Sequence, residues 1–106
     1  VSSTNEAYLT KKVSDLLKQY RLELKPGFYY HKVSDRYTSG IPDFYVLYRG
    51  FSAHIELKAA GKSVASDGLQ SHTLDKLKSA GAYCIWSDDF SEVSEFLRDL
   101  TSLRAI

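Results

Sequence analysis

The chain has 106 residues, 43% of them hydrophobic, and sets 14 Lys and Arg against 13 Asp and Glu for a formal charge of +1. That size supports one domain around one core rather than two. The near-neutral balance excludes a nucleic-acid partner held by bulk charge alone, because unaided non-specific binding needs clustered Lys and Arg. The lone cysteine, Cys84, excludes a disulfide scaffold and argues against a zinc cluster; in the apolar run AYCIW it reads as a buried, reduced thiol. No apolar run approaches the roughly 20 residues of a membrane helix, and no signal peptide is legible, so no membrane partner and an intracellular location are expected.

In chain order, Ser3 stands three positions ahead of Glu6 as a capping box, and Leu9, Val13, Leu16, Leu17 and Tyr20 follow at helical spacing. They predict a first helix over residues 4–21. Lys25-Pro26-Gly27 breaks it, and FYYHKV after the break is rich in strand-favouring residues. SDRYTSGIP is turn-like. DFYVLYR and SAHIELKA then form two strand candidates separated by Arg49-Gly50, which reads as a hairpin.

GKSVASDG is a loop long enough to suggest function. Leu69, Thr73, Leu74, Leu77 and Ala80 mark one face of a second helix, with Gly81 as its stop signal. AYCIWS is expected to be a buried strand. Asp88 or Asp89 can cap a last helix that carries Val93, Phe96, Leu97, Leu100 and Leu103 on one side. The expected order is αβββαβα, an α/β fold with one mixed sheet flanked by helices. No repeat, low-complexity segment or linker divides residues 1–106.

The hairpin carries the chemistry. Side chains alternate along a strand, so Glu56 and Lys58 share a face with His54, while Ala53, Ile55, Leu57 and Ala59 take the other. A two-residue turn at Arg49-Gly50 sets Asp43 opposite Glu56; a four-residue loop sets it opposite Lys58; a three-residue loop turns Asp43 away. In either even-length case two carboxylates lie close enough to share an ion. Such a pair repels unless it holds a proton or a divalent cation, and oxygen-only ligands favour Mg²⁺ or Mn²⁺. A lysine two residues beyond can hold or help activate a water against a phosphodiester. Each of these residues alone reads more readily as a solvated strand charge; the combination with Gly40-Ile41-Pro42-Asp43 is what stands out.

Those residues resemble a known group. GIPD, then IELK with Glu56 thirteen positions after Asp43, then Leu69-Gln70, behind a helix bearing Glu6, is similar to the PD-(D/E)xK nuclease superfamily and within it to the virus-type replication-repair nuclease (VRR-NUC) domains. The resemblance spans Glu6 through AYCIWS. It implies a restriction-endonuclease-like αβββαβ core, here followed by a C-terminal helix, in a single domain. It further implies that Asp43 and Glu56 ligate the metal with the backbone carbonyl of Leu57, that Lys58 positions or activates the attacking water, that Glu6 completes the site through a water or second ion, and that Gln70 orients water or phosphate beside Lys58. For Glu6 the capping box is the competing explanation; for Gln70, an ordinary exposed helix position.

Ser39 and Gly40 can offer a hydroxyl or a backbone N–H to a phosphate, though a tight turn accounts for them equally. Arg36 and Lys62 are candidate DNA contacts that would supply local positive charge. His31, His54 and His72 lack metal-binding spacing, and His54 matters only because its parity matches Glu56. The tyrosines read as core and rim residues.

The activity expected is Mg²⁺- or Mn²⁺-dependent hydrolysis of DNA by direct attack of water. Stand-alone VRR-NUC domains resemble Holliday-junction resolvases, which implies a homodimer acting on four-way junctions. A flap or single-strand-directed nickase is the alternative within nucleases, and a non-catalytic branched-DNA-binding module is the alternative outside them. The resemblance leans toward a virus or mobile element, which implies the cytoplasm of a bacterial host.

Overall fold

A computed structural model of the chain describes residues 6–33, 41–58 and 69–104, apart from the side chains of 69–71. Its elements are α1 (Glu6–Leu24), β1 (Phe28–Lys32), β2 (Phe44–Tyr48), β3 (Phe51–Leu57), α2 (Leu69–Ser79), β4 (Tyr83–Ser87) and α3 (Phe90–Leu100). This is the expected αβββαβα order. The capping box at Ser3 lies outside the described residues. Helix α1 runs three residues past its expected end because Leu24 still packs on the core, and it stops at Pro26-Gly27, where Gly27 N–H turns back to the Leu24 carbonyl at 2.9 Å.

The sheet order is β1-β2-β3-β4, with the first two pairings antiparallel and β3 parallel to β4. A parallel pair needs a crossover, and α2 supplies it. The β2–β3 hairpin has the two-residue turn: Tyr48 pairs with Phe51, and Arg49 and Gly50 take φ of 47° and 90°. Positive φ at both positions gives a loop twist that matches the strands. Arg49 also hydrogen-bonds through its N–H to the Gly27 carbonyl at 3.1 Å, and its side chain lies where a Cβ on Gly27 would sit, so the hairpin tip is packed on the α1–β1 turn.

One sheet face, from Phe28, Phe44, Val46, Tyr48, Ala53, Ile55 and Leu57, is buried against Leu9, Val13 and Leu17 of α1 and Val93, Leu97 and Leu100 of α3. Helix α3 is capped by Asp89, whose side chain accepts from Ser91 N–H. Helix α2 lies on the opposite face, packed chiefly on β4, with Leu77 lining the same hollows as His54. It ends in paired bonds from Gly81 N–H to Lys78 O and from Ala82 N–H to Leu77 O, with Gly81 at φ 102°.

Strand β4 departs from expectation. AYCIWS is not a buried strand: β4 is the sheet edge, and Tyr83 and Trp86 are exposed while Cys84 and Ile85 are half-buried. An apolar run reads alike in a central strand and in an edge strand that helices cover in part.

Candidate active site

The two-residue turn decides the geometry that the sequence left open. In the β2–β3 register Phe44 pairs with Ile55 and Tyr45 with His54; one further step sets Asp43 across from Glu56, on the α2 face of the sheet. Asp43 stands just before β2 and is held from both sides. Its backbone carbonyl accepts the Val33 N–H at 2.8 Å, prolonging the β1–β2 ladder, and its Oδ2 accepts the Leu57 N–H at 2.8 Å. That length suits a charge-assisted bond. The carboxylate thereby takes a ladder donor of β3 and is fixed beside the backbone between Glu56 and Leu57.

The local sequence explains why a side chain does this. The residue before Asp43 is Pro42, which has no N–H to give to β3. Regular pairing therefore stops at Phe44, Asp43 bonds through its side chain, and the Leu57 carbonyl, on the same strand edge as the Leu57 N–H, gains no donor from Pro42.

Glu56 is buried to 3% exposure, rare for a carboxylate. Its Oε2 lies 3.1 Å from Lys58 Nζ, and the Lys58 side chain is itself only 19% exposed. Two positions apart on one strand face, the two side chains reach each other along it. Lys58 is anchored through its backbone N–H to the Ser87 carbonyl of β4 at 2.9 Å. Ser87, buried, accepts the Asp89 N–H at 3.0 Å and donates to Glu92 Oε1 at 2.5 Å, so the strand end that holds Lys58 is tied to the start of α3.

Among the described residues the cluster sets two carboxylates against one ammonium, formally one negative charge in excess, with Glu56 and Lys58 largely buried and Asp43 half-buried. Its donor set is two carboxylates beside a backbone carbonyl, all hard oxygen, which fits Mg²⁺ or Mn²⁺ better than a softer ion. Among the described residues no three His, Cys, Asp or Glu side chains converge. Glu6 is exposed on the first turn of α1, which packs on the other sheet face. Gln70 is on the first turn of α2, with its side chain outside the described residues, and Arg36, Ser39, Gly40 and Lys62 lie outside them altogether.

His54 shares the Glu56 face, as its parity predicts. Burial, and then the neighbouring His31, lower its pKa below the ordinary value of 6.5. Tyr45, grouped by sequence with the core and rim tyrosines, pairs with His54 in the next row on the face of Asp43 and Glu56. The signal was available in parity, since Tyr45 follows Asp43 by two.

A solved structure described as a VRR_NUC domain is similar to this chain with a TM-score of 0.69 and 23% identity, over 90% of this chain and 96% of that one. The chain has the fold of a VRR_NUC domain. No family model matches it, and no curated protein sequence does. The VRR_NUC fold agrees with the expected αβββαβ core and its trailing helix. Within that fold Asp43, Glu56 and Lys58 gather at the open end of the central hairpin, on the face away from the main core.

Proposed function

We propose that the chain is a nuclease that hydrolyses DNA phosphodiester bonds with Mg²⁺ or Mn²⁺. The observation that carries this reading is Asp43, fixed by its 2.8 Å bond to Leu57 N–H, beside the buried Glu56–Lys58 pair. The VRR_NUC fold supports it. Asp43, Glu56 and the Leu57 carbonyl would hold the ion. When bound, the ion supplies Lewis-acid stabilisation of phosphate charge and an acidified water.

The chain's own groups do the rest. Lys58 Nζ, held by Glu56, donates to the attacking water and orients it at the phosphorus. The strand backbone positions Asp43 and Lys58 before substrate arrives, since Asp43 is pinned to β1 and β3 and Lys58 to β4.

The substrate we propose is branched DNA, a four-way junction cut by a homodimer. A two-fold dimer presents one site to each of two opposed strands. Shape and phosphate contacts, rather than base-edge readout, would choose the site.

The test is cleavage of end-labelled four-way junction, flap, single-stranded and linear duplex DNA with Mg²⁺, Mn²⁺ or chelator, with light scattering at the same protein concentration. Paired symmetric nicks in the junction by a dimer support the full reading. Cleavage of a flap or single strand by a monomer replaces the substrate. Cleavage of none of the four removes the nuclease.

A further inference from the structure

The α2 face of the sheet carries a ladder of rings next to the carboxylates. Tyr29 and His31 of β1, Tyr45 of β2 and His54 of β3 follow one another with ring centroids 5.6, 5.3 and 5.2 Å apart. His31, Tyr45 and His54 form a direct cross-strand row. Between this row and α2 is a hollow of about 340 Å³, which Pro42, Thr73 and Leu77 also line. The main core, on the other face, uses none of these rings.

The placement of the hollow gives it a meaning. Tyr45 and His54 each lie two residues from Asp43 and Glu56 on the same strand faces, a separation of about 6.7 Å along the strands. A group whose phosphate lay at the carboxylates would present its neighbouring atoms to the rings. Rings and aliphatic carbons favour a flat, π-faced ligand, and Tyr and His faces are the surfaces on which unstacked bases are held.

We infer that the hollow beside Tyr45 and His54 is a nucleobase site, where one unpaired base stacks on the Tyr45 ring while its own phosphate lies over Asp43 and Glu56. The inference rests on the nuclease reading for its substrate class. It adds a determinant of where the enzyme acts: a base inside a duplex stack must first be unpaired and unstacked, whereas a base at a branch point or already unpaired enters at lower cost. Tyr45 and His54 are positioning residues, which set the strand against the site without touching the reacting phosphate.

The experiment compares binding of two branched oligonucleotides that differ at one branch position, one carrying 2-aminopurine and the other an abasic residue. Wild-type protein and the Tyr45→Leu, Tyr45→Phe and Lys58→Ala variants are measured in Mg²⁺. Wild type, Tyr45→Phe and Lys58→Ala should bind the base-bearing strand about tenfold more tightly than the abasic one and quench its fluorescence. Tyr45→Leu should lose both effects while binding the abasic strand as wild type does. Equal affinity of wild type for the two strands, including no binding of either, overturns the base site, as does a preference that survives in Tyr45→Leu. Should Tyr45→Leu fail to fold, the wild-type and Tyr45→Phe comparisons still decide. Cleavage without base preference removes the base site and leaves the nuclease; base preference without cleavage does the reverse.

Discussion

The Leu57 N–H donates to Asp43 Oδ2 at 2.8 Å, joining the carboxylate that precedes β2 to the strand that carries Glu56 and Lys58. Through this bond the site and the sheet register are one structure. A carboxylate that replaces a backbone partner cannot move without costing the ladder a bond.

Asp43 therefore has a structural effect separable from its chemical one. Asp43→Ala leaves the Leu57 N–H without that acceptor and should destabilise the fold by about 1–3 kcal/mol. Asp43→Asn keeps an acceptor oxygen and should cost less than half as much. Urea unfolding of the two variants checks this, and equal losses would mean that the bond contributes little.

The excess negative charge of the cluster predicts stabilisation by divalent cations. Mg²⁺ or Mn²⁺ at about 100 times its dissociation constant should add ~2.7 kcal/mol, read as a rise in Tm. Asp43→Asn and Glu56→Gln should each abolish the rise, and monovalent salt of equal ionic strength should not mimic it. A shift that persists in both variants would place the ion elsewhere.

Gly81 closes α2 at φ 102°, and a Cβ there would meet no atom within 4 Å. Gly81→Ala should therefore show the backbone cost alone, about 1–2 kcal/mol. For a domain of this size that lowers Tm by roughly 4–8 °C per kcal/mol. An unchanged Tm would show that the α2–β4 turn relaxes to another conformation.

Burial raises the Cys84 thiol pKa above its ordinary value of 9.0, with Lys78 offsetting part of the shift. Between 9.0 and the raised value the unfolded chain has lost a proton that the native chain keeps. The Cys84 contribution is thus fully present below that window and falls as pH rises through it. Alkylation rate against pH should have its midpoint above 9.0 in native protein and near 9.0 in urea; a native midpoint at or below 9.0 contradicts the assignment.

Much of this was legible in the sequence because hydrophobic period and turn chemistry act locally. Arg49-Gly50 marked the hairpin and Gly81 the end of α2, and in the structure those residues hold the positive φ values. Parity alone placed His54, Glu56 and Lys58 on one face. The loop length was not legible, since two- and four-residue loops serve the same pattern; the choice of Glu56 rather than Lys58 as the residue across from Asp43 depends on it. Nor was the edge position of β4, because which strand lies outermost is a property of the whole sheet. The Tyr45–His54 row was legible only in part: parity sets Tyr45 on the face of Asp43, but its pairing with His54 depends on the register.

The most direct test of the central claim is single-turnover cleavage of a labelled four-way junction in Mg²⁺ by wild type and by Lys58→Ala, with circular dichroism verifying that both are folded at the assay temperature. Losing Lys58 removes the ammonium that orients the water, so the variant should cut at least about 100-fold more slowly. Cleavage by Lys58→Ala at the wild-type rate would contradict the account, because the Glu56–Lys58 pair would then be a structural ion pair and the water would be oriented by another group.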